Sequence, residues 1–339
     1  VSLQRIAITG SSGFYGRALI ALIRDRLPEA KILGLDIVEP ASEIPDEFFL
    51  CDVTGDSLVE HLERFQPDTL VHLAFVVEPM RDKRRMYEIN VEGTRNVLEA
   101  ASRIAPDRIL VSSSATAYGA WSDNPIPISE NHELRPRSDY QYSAEKVLVE
   151  QLLEKYAQEH PQAAVSWTRP CIIYGRGVNN FLTEFISRVW LVVLPDGLDA
   201  PVQFVHLDDV AEATLTILQS RGTGPFNLGP PDWITLRRMS RLKQCRTFKI
   251  PLKLCRAFTF FWWSCRLPVF RFPPGLWSFI TYPWVVAPTR LTDELNFEFR
   301  YSTEETIRQM LLDGGYIRET DQPERMAVET KDVSALDSK

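Results

Sequence analysis

Short apolar runs alternate with amphipathic stretches through the first half of the chain. The runs "RIAITG" (5–10), "KILGLDIV" (31–38), "FFLCDV" (48–53), "TLVHLAF" (69–75), "RILVSSSA" (108–115) and "AVSWTRP" (164–170) read as strands. Their nearly continuous apolar character predicts burial on both faces. The stretches between them, 14–26, 56–65, 82–103 and 139–159, carry the helical period. Such alternation implies an α/β architecture: a doubly wound parallel sheet covered by helices on both sides. Ligands of such sheets bind beyond the carboxyl ends of the strands, which directs attention to the residues there.

From about residue 171 the rhythm breaks. "VQFVHLDDVAEATLTIL" (202–218) returns to strand and then helix, and the remainder is rich in proline and aromatic residues. The pattern predicts one domain from 1–170 and 201–228. It predicts a smaller, discontinuous C-terminal substrate domain from 171–200 and 229–318. Residues 319–339 are polar, lack a core-forming pattern and read as a disordered tail.

Composition narrows the function classes. The chain has 339 residues and a net charge of −7, which argues against general attraction to nucleic acid. Its five cysteines are odd in number and form no CxxC pair, so they read as reduced thiols. The five histidines show no ligand spacing, so no metal is expected. No charged stretch followed by an apolar one is visible at the N-terminus, which favours a cytoplasmic location. One segment departs from the average. Residues 233–292 contain eleven Lys or Arg, no Asp or Glu, and five of the eight tryptophans. Arg256, Arg266 and Arg271 interrupt its apolar runs, so it is not a membrane span.

"TGSSGFYGRALI" (9–20) places Gly10, Gly13 and Gly16 between a strand and a helix. Gly10 allows a tight turn, Gly13 lets the backbone approach a pyrophosphate, and Gly16 lets the helix pack on the sheet. The helix N-terminus offers N–H donors to phosphate. Asp36 ends the second strand, twenty residues past Gly16, where a carboxylate accepts the ribose hydroxyls of a dinucleotide. The next residues, "IVEP", bring no base to hold a 2′-phosphate, so this Rossmann-type loop is expected to take NAD rather than NADP. The alternative is that Asp36 simply ends a strand. Asp52 and Val53 either flank the adenine or, for Asp52, start the next helix.

"YQYSAEKVLVE" contains Tyr142 and Lys146, four apart on one helix face. An ammonium and a positive nicotinamide nearby would lower the phenol pKa, letting Tyr142 exchange a proton with a substrate hydroxyl while hydride leaves the same carbon. Alone, such a pair is an ordinary surface contact; behind a dinucleotide loop it gains meaning. "VSSSATAYG" (111–119) supplies Ser112, Ser113, Ser114 and Thr116 at the end of the fifth strand as groups to polarise the substrate oxygen.

Together these stretches resemble the extended short-chain dehydrogenase/reductases, in particular the NAD-dependent epimerase/dehydratase family and its UDP-sugar 4-epimerases. The likeness also rests on "EINVEGTRNVLEAA", "TRPCIIYGRG", "FVHLDDVAEA" and "FNLG". It implies that Ser114, Tyr142 and Lys146 are catalytic. It implies a cofactor site of Gly10, Gly13, Phe14, Tyr15, Gly16, Asp36, Asp52, Val53, Leu73, Ala74, Phe75, Asn90, Ser112, Tyr142, Lys146 and Pro170. Thr116, Asn180 and Gln203 would meet a small-molecule substrate between the domains. A homodimer would form through helices 82–103 and 139–159.

The related sugar 4,6-dehydratases carry an acid pair after the first hydroxyl residue, and the related decarboxylases a glutamate. Here Ala115 and Thr116 stand in those places, which matches the 4-epimerases instead. The arginines with which those enzymes grip a diphosphate are missing: Val202 and Gln203 occupy one place, and "LWSFITYP" (276–283) contains none. Three readings of 233–292 remain open. In the first the segment caps an anionic substrate, with Arg237, Arg238, Arg241 and Lys243 near its phosphate. In the second it docks on anionic lipid through Trp262, Trp263 and Trp277, making the chain a peripheral membrane protein acting on a hydrophobic alcohol. In the third the aromatics are simply the core of the small domain.

Overall fold

The computed structural model describes residues 3–42, 44–178, 191–265 and 272–318. Seven parallel strands form the central sheet: β1 (Arg5–Thr9), β2 (Lys31–Asp36), β3 (Glu47–Leu50), β4 (Thr69–His72), β5 (Arg108–Ser112), β6 (Ala164–Pro170) and β7 (Gly224–Leu228). Their spatial order is β7-β6-β5-β4-β1-β2-β3. The chain therefore winds outward from β1 to β3, then returns to place β4 on the other side of β1. The reversal opens a crevice at the carboxyl end of β1, where the glycine loop begins.

Both faces of the sheet are covered, as the apolar runs require. Ile6 and Ile8 point into one core layer with Leu19, Ile20 and Ile23 of α1 (Phe14–Arg26). Ala7 points the other way, into a layer with Leu58 and Leu62 of α2 (Ser57–Phe65) and Val97 of α3 (Gly93–Ile104). Val149 and Leu153 of α4 (Gln141–Glu159) complete that second layer. α5 (Leu207–Ser220) covers the first beside α1. Successive strand residues alternate between the two layers, the period of two expected of a pleated strand.

The structure departs from the expected helix at 82–103. The segment starts as a short helix, Lys83–Tyr87, widens into a π-helical turn over Glu88–Glu92, and only then continues as α3. One extra residue per turn there re-aims the side chains that follow.

Apart from α5 and β7, the elements after β6 form three small strand pairs and several helices. Ile172–Tyr174 pairs with Phe204–His206, Leu191–Pro195 with Arg246–Ile250, and Pro201–Val202 with Ile234–Thr235. Residues 201–206 thus hydrogen-bond to both 172–174 and 234–235, across the boundary expected from the sequence. The tail at 319–339 lies outside the described residues, as do Asn180, Arg266 and Arg271.

Candidate active site

The turn after β1 is built for close approach. Gly10 adopts φ +72°, and a Cβ there would sit 2.7 Å from the backbone of both Leu73 and Ala74. A Cβ on Gly16 would lie 2.7 Å from Ser11 Cα, so only glycine lets α1 pack this tightly on the loop. Gly13 is the N-cap of α1 and supplies no capping side chain, which leaves the first-turn N–H groups to an outside acceptor. At the end of β2, Asp36 accepts from the Ser12 N–H at 2.9 Å and from the Val38 N–H at 3.2 Å. The carboxylate is thereby fixed beside the loop with lone pairs to spare. These residues fit the pyrophosphate and ribose of NAD.

Beyond the loop lies a cavity of about 320 Å³. Gly10, Gly13, Phe14, Tyr15, Leu73, Phe75, Ser112, Ser114, Thr116, Tyr142, Lys146 and Pro170 all line it, as does Ser113. The expected catalytic set is therefore brought together with the glycine loop. Ser114 Oγ accepts from Thr116 Oγ1 at 2.9 Å and from the Thr116 N–H at 3.2 Å. With both donors aimed at it, its own O–H is left to donate towards the Tyr142 phenol in the cavity. Lys146 Nζ donates to the Ser112 carbonyl at 2.6 Å and stands 3.1 Å from the centre of the Phe75 ring.

The electrostatics correct one expectation. Burial pushes the Tyr142 phenol above its ordinary value, and only the Ser114 hydroxyl pulls it down. Lys146 does not do so, because its ammonium is turned to the Ser112 carbonyl, 5.5 Å from the centre of the Tyr142 ring. Burial likewise draws the Lys146 pKa well down, opposed by Glu150 and Glu145. The protein alone thus presents a neutral phenol.

Behind Lys146 lies a network the spacing did not reveal. Tyr142, Lys146 and Glu150 recur every four residues along α4, on one stripe of the helix. Glu150 is an anchor: it accepts from Ser113 Oγ at 2.6 Å, Trp167 Nε1 at 2.8 Å and Arg169 Nε at 3.0 Å. Arg169 also donates to Tyr118 Oη at 2.6 Å and to the Glu130 carbonyl at 3.0 Å. Ion-paired and buried, Arg169 is not available to a phosphate.

Several expected residues lie outside the cavity lining. Asn90 is fully buried and spends its amide on Val76 and Glu145, accepting from the Val76 N–H at 2.8 Å and donating to Glu145 Oε2 at 2.8 Å. It shapes the loop after β4 instead of lining the cavity, an orientation set within the π-helical turn. Gln203 is also buried: it donates to the Pro230 and Val286 carbonyls at 2.7 and 2.9 Å and accepts from the Val286 N–H at 2.9 Å. Its neighbour Val202 lines the cavity in its stead. Asp52 binds Thr54 and Arg85 and does not cap α2, whose N-cap is Asp56. Val53 packs on Gly93, and Ala74 abuts Gly10; neither reaches the cavity lining.

The far wall is apolar. It comprises Val77, Val192, Val193, Leu236, Met239, Leu276, Trp277, Phe279, Ile280 and Trp284, with Tyr140 beside Tyr142. Among the described residues Lys146 is the one charged side chain in the lining, and no carboxylate is present. The suggested phosphate ligands lie elsewhere. Arg237 pairs with Asp199, Arg238 pairs with Glu304, and neither they nor Arg241 and Lys243 line the cavity. Trp277 is buried in the wall, not placed at a lipid interface.

Residues 6–229 match the model of the NAD dependent epimerase/dehydratase family. The chain belongs to that family. An uncharacterized protein of Sinorhizobium fredii is 25% identical over 68% of this chain, and the match spans 58% of that relative's length. UDP-glucuronic acid decarboxylase 1 of Arabidopsis thaliana is 26% identical over 70% of this chain and 57% of its own. Among solved structures, the UDP-glucose 4-epimerase of Thermotoga maritima with UDP-glucose superposes with a TM-score of 0.72 at 18% identity. It covers 91% of this chain and 98% of that one, a likeness of fold. NAD is the family's cofactor, and the loop and Asp36 suit it.

Proposed function

We propose that the chain is an NAD-dependent catalyst of the sugar-nucleotide epimerase type, which abstracts hydride from a secondary alcohol carbon and returns it to the resulting ketone. The observation that carries this reading is the convergence of Ser114, Tyr142 and Lys146 on the same cavity as the glycine loop. When bound, NAD would supply the hydride acceptor and a positive ring beside the phenol. Tyr142 takes the substrate hydroxyl proton as the carbinol C–H breaks and gives it back when the C–H reforms. Ser114 donates to the same oxygen and holds it in place, its hydroxyl oriented by Thr116. Lys146, tied to the Ser112 carbonyl, is in position to hold a ribose hydroxyl. Elimination of water needs an acid pair, and the cavity lining holds no carboxylate among the described residues, which supports epimerisation over dehydration.

One observation supports a second reading, although the relatives do not point to it. The apolar wall holds no forked cation for a diphosphate, and it suits the body of a hydrophobic alcohol undergoing net oxidation or reduction. Incubation with NAD and a panel of UDP-hexoses or hydrophobic secondary alcohols separates the two. An epimer formed without accumulation of NADH supports the first, and stoichiometric NADH from an alcohol supports the second. Tyr142→Phe should lower either activity by about a hundredfold or more, and an unchanged rate overturns the assignment.

A further inference from the structure

The helix α6 (Leu252–Ser264) has two apolar faces. Leu252, Cys255 and Thr259 form the inner one and are buried. They pack on the segment 272–281, where Trp277 Nε1 donates to Thr259 Oγ1 at 3.2 Å and Arg256 donates to Ser278 Oγ at 2.7 Å. The outer face carries Leu254, Phe258 and Phe261 at i, i+4 and i+7, which are 61%, 58% and 65% exposed. Phe260, 65% exposed, widens the stripe. Four large apolar side chains on one outward face make a patch that calls for a partner.

Charge identifies the partner. Lys253 stands on the same outer face, beside Phe260 on the helical wheel, and Arg246 and Lys249 are exposed on the strand that leads into α6. Among the described residues none of the three pairs with an acid. The acids at this end are occupied: Asp196 accepts from the Leu252 N–H at 2.9 Å, and Asp139 lies 3.8 Å from Arg256. A two-fold contact between copies would set this basic edge against itself. An anionic lipid surface meets both demands, with acyl boundary for the aromatic stripe and negative potential for the bases.

We propose that α6 is a docking helix that lies flat on an anionic lipid surface, with Leu254, Phe258, Phe260 and Phe261 inserted and Lys249 and Lys253 over the headgroups. Its 13 residues are too few to cross a bilayer, which takes about 20. The segment behind it, 272–281, gives Leu276, Trp277, Phe279 and Ile280 to the cavity wall, so the docked face and the cavity share one supporting layer. This docking is independent of which substrate reading holds.

Flotation of the full chain with vesicles tests it. Vesicles of phosphatidylcholine with roughly one quarter phosphatidylglycerol should carry the protein upward at low salt, and phosphatidylcholine alone should carry much less. A Phe258→Glu, Phe261→Glu variant should lose at least about tenfold in vesicle binding, and a Lys249→Glu, Lys253→Glu variant should lose the preference for anionic lipid. Both should keep the wild-type melting temperature and NAD binding, because the altered side chains are exposed. Wild-type protein that stays at the bottom with every vesicle, or folded variants that float as well as wild type, overturns the proposal. So does a dimer that the phenylalanine variant dissociates while the wild type ignores vesicles.

Discussion

Lys146 Nζ donates to the Ser112 carbonyl at 2.6 Å while its ammonium rests 3.1 Å from the centre of the Phe75 ring. The bond ties α4 to the end of β5, and the aromatic face lies against the amino group. Lys146→Met removes both. NAD binding should weaken and turnover should fall by about a hundredfold, because the group in position to hold a ribose hydroxyl is lost, while the pH–rate profile keeps its shape because Lys146 does not set the Tyr142 pKa. Unchanged NAD affinity and turnover would show that Lys146 acts only in packing.

Asp36 holds two backbone N–H groups, from Ser12 and Val38. Asp36→Asn removes the negative charge and one acceptor oxygen. NAD affinity should drop by about 1.5–3 kcal/mol, the range for hydrogen bonds to a charged group. Discrimination against NADP should shrink in parallel, because the repelling carboxylate is gone. Calorimetric titration with both dinucleotides checks it; equal losses for the two would place the ribose elsewhere.

Breaking the buried pair behind the site should cost far more than a surface contact. Arg169→Met leaves Glu150 charged and enclosed, with a cost of about 3–5 kcal/mol. Glu150→Gln, Arg169→Met together should recover part of it, because no lone charge remains. Urea denaturation of the single and double variants reads the coupling.

His72 supplies a pH dependence. Thr94 Oγ1 donates to the Asn90 carbonyl and so must accept from His72 Nε2, which leaves Nδ1 to accept from Thr9 Oγ1. The ring is held neutral, and burial, with Lys146 nearby, lowers its pKa to about 3 from 6.5. The unfolded chain therefore binds the extra proton first. Stability is unaffected by this group above pH 6.5 and falls as pH drops from there towards 3, by at most about 1.4 kcal/mol per pH unit. His72→Gln should be less stable at neutral pH yet lose less on acidification, as followed by thermal melts across that range.

The parts of the site legible in the sequence are local ones. The glycine loop, Asp36 and the Tyr142–Lys146 pair each depend on a spacing of a few residues after a strand or along a helix. The apolar wall was hidden because it is gathered from 77, 140, 192–193, 236–239 and 276–284, which share no pattern. Asn90 and Gln203 sit in recognisable stretches, but their partners lie 14 to 83 residues away, so only the fold shows that their amides are spent internally. The π-helical turn at Glu88–Glu92 escaped because one additional residue barely disturbs an amphipathic pattern. The apolar content of 258–261 was visible, but not which rings would face solvent.

The shared stripe of Tyr142, Lys146 and Glu150 has a mechanical consequence. Turning α4 enough to swing the phenol away would drag a buried carboxylate off its guanidinium. The reacting group is therefore braced from the rear, before any ligand arrives. The opposite wall bears none of that burden, and its shape can be recut for a different molecule while the proton carrier keeps its aim.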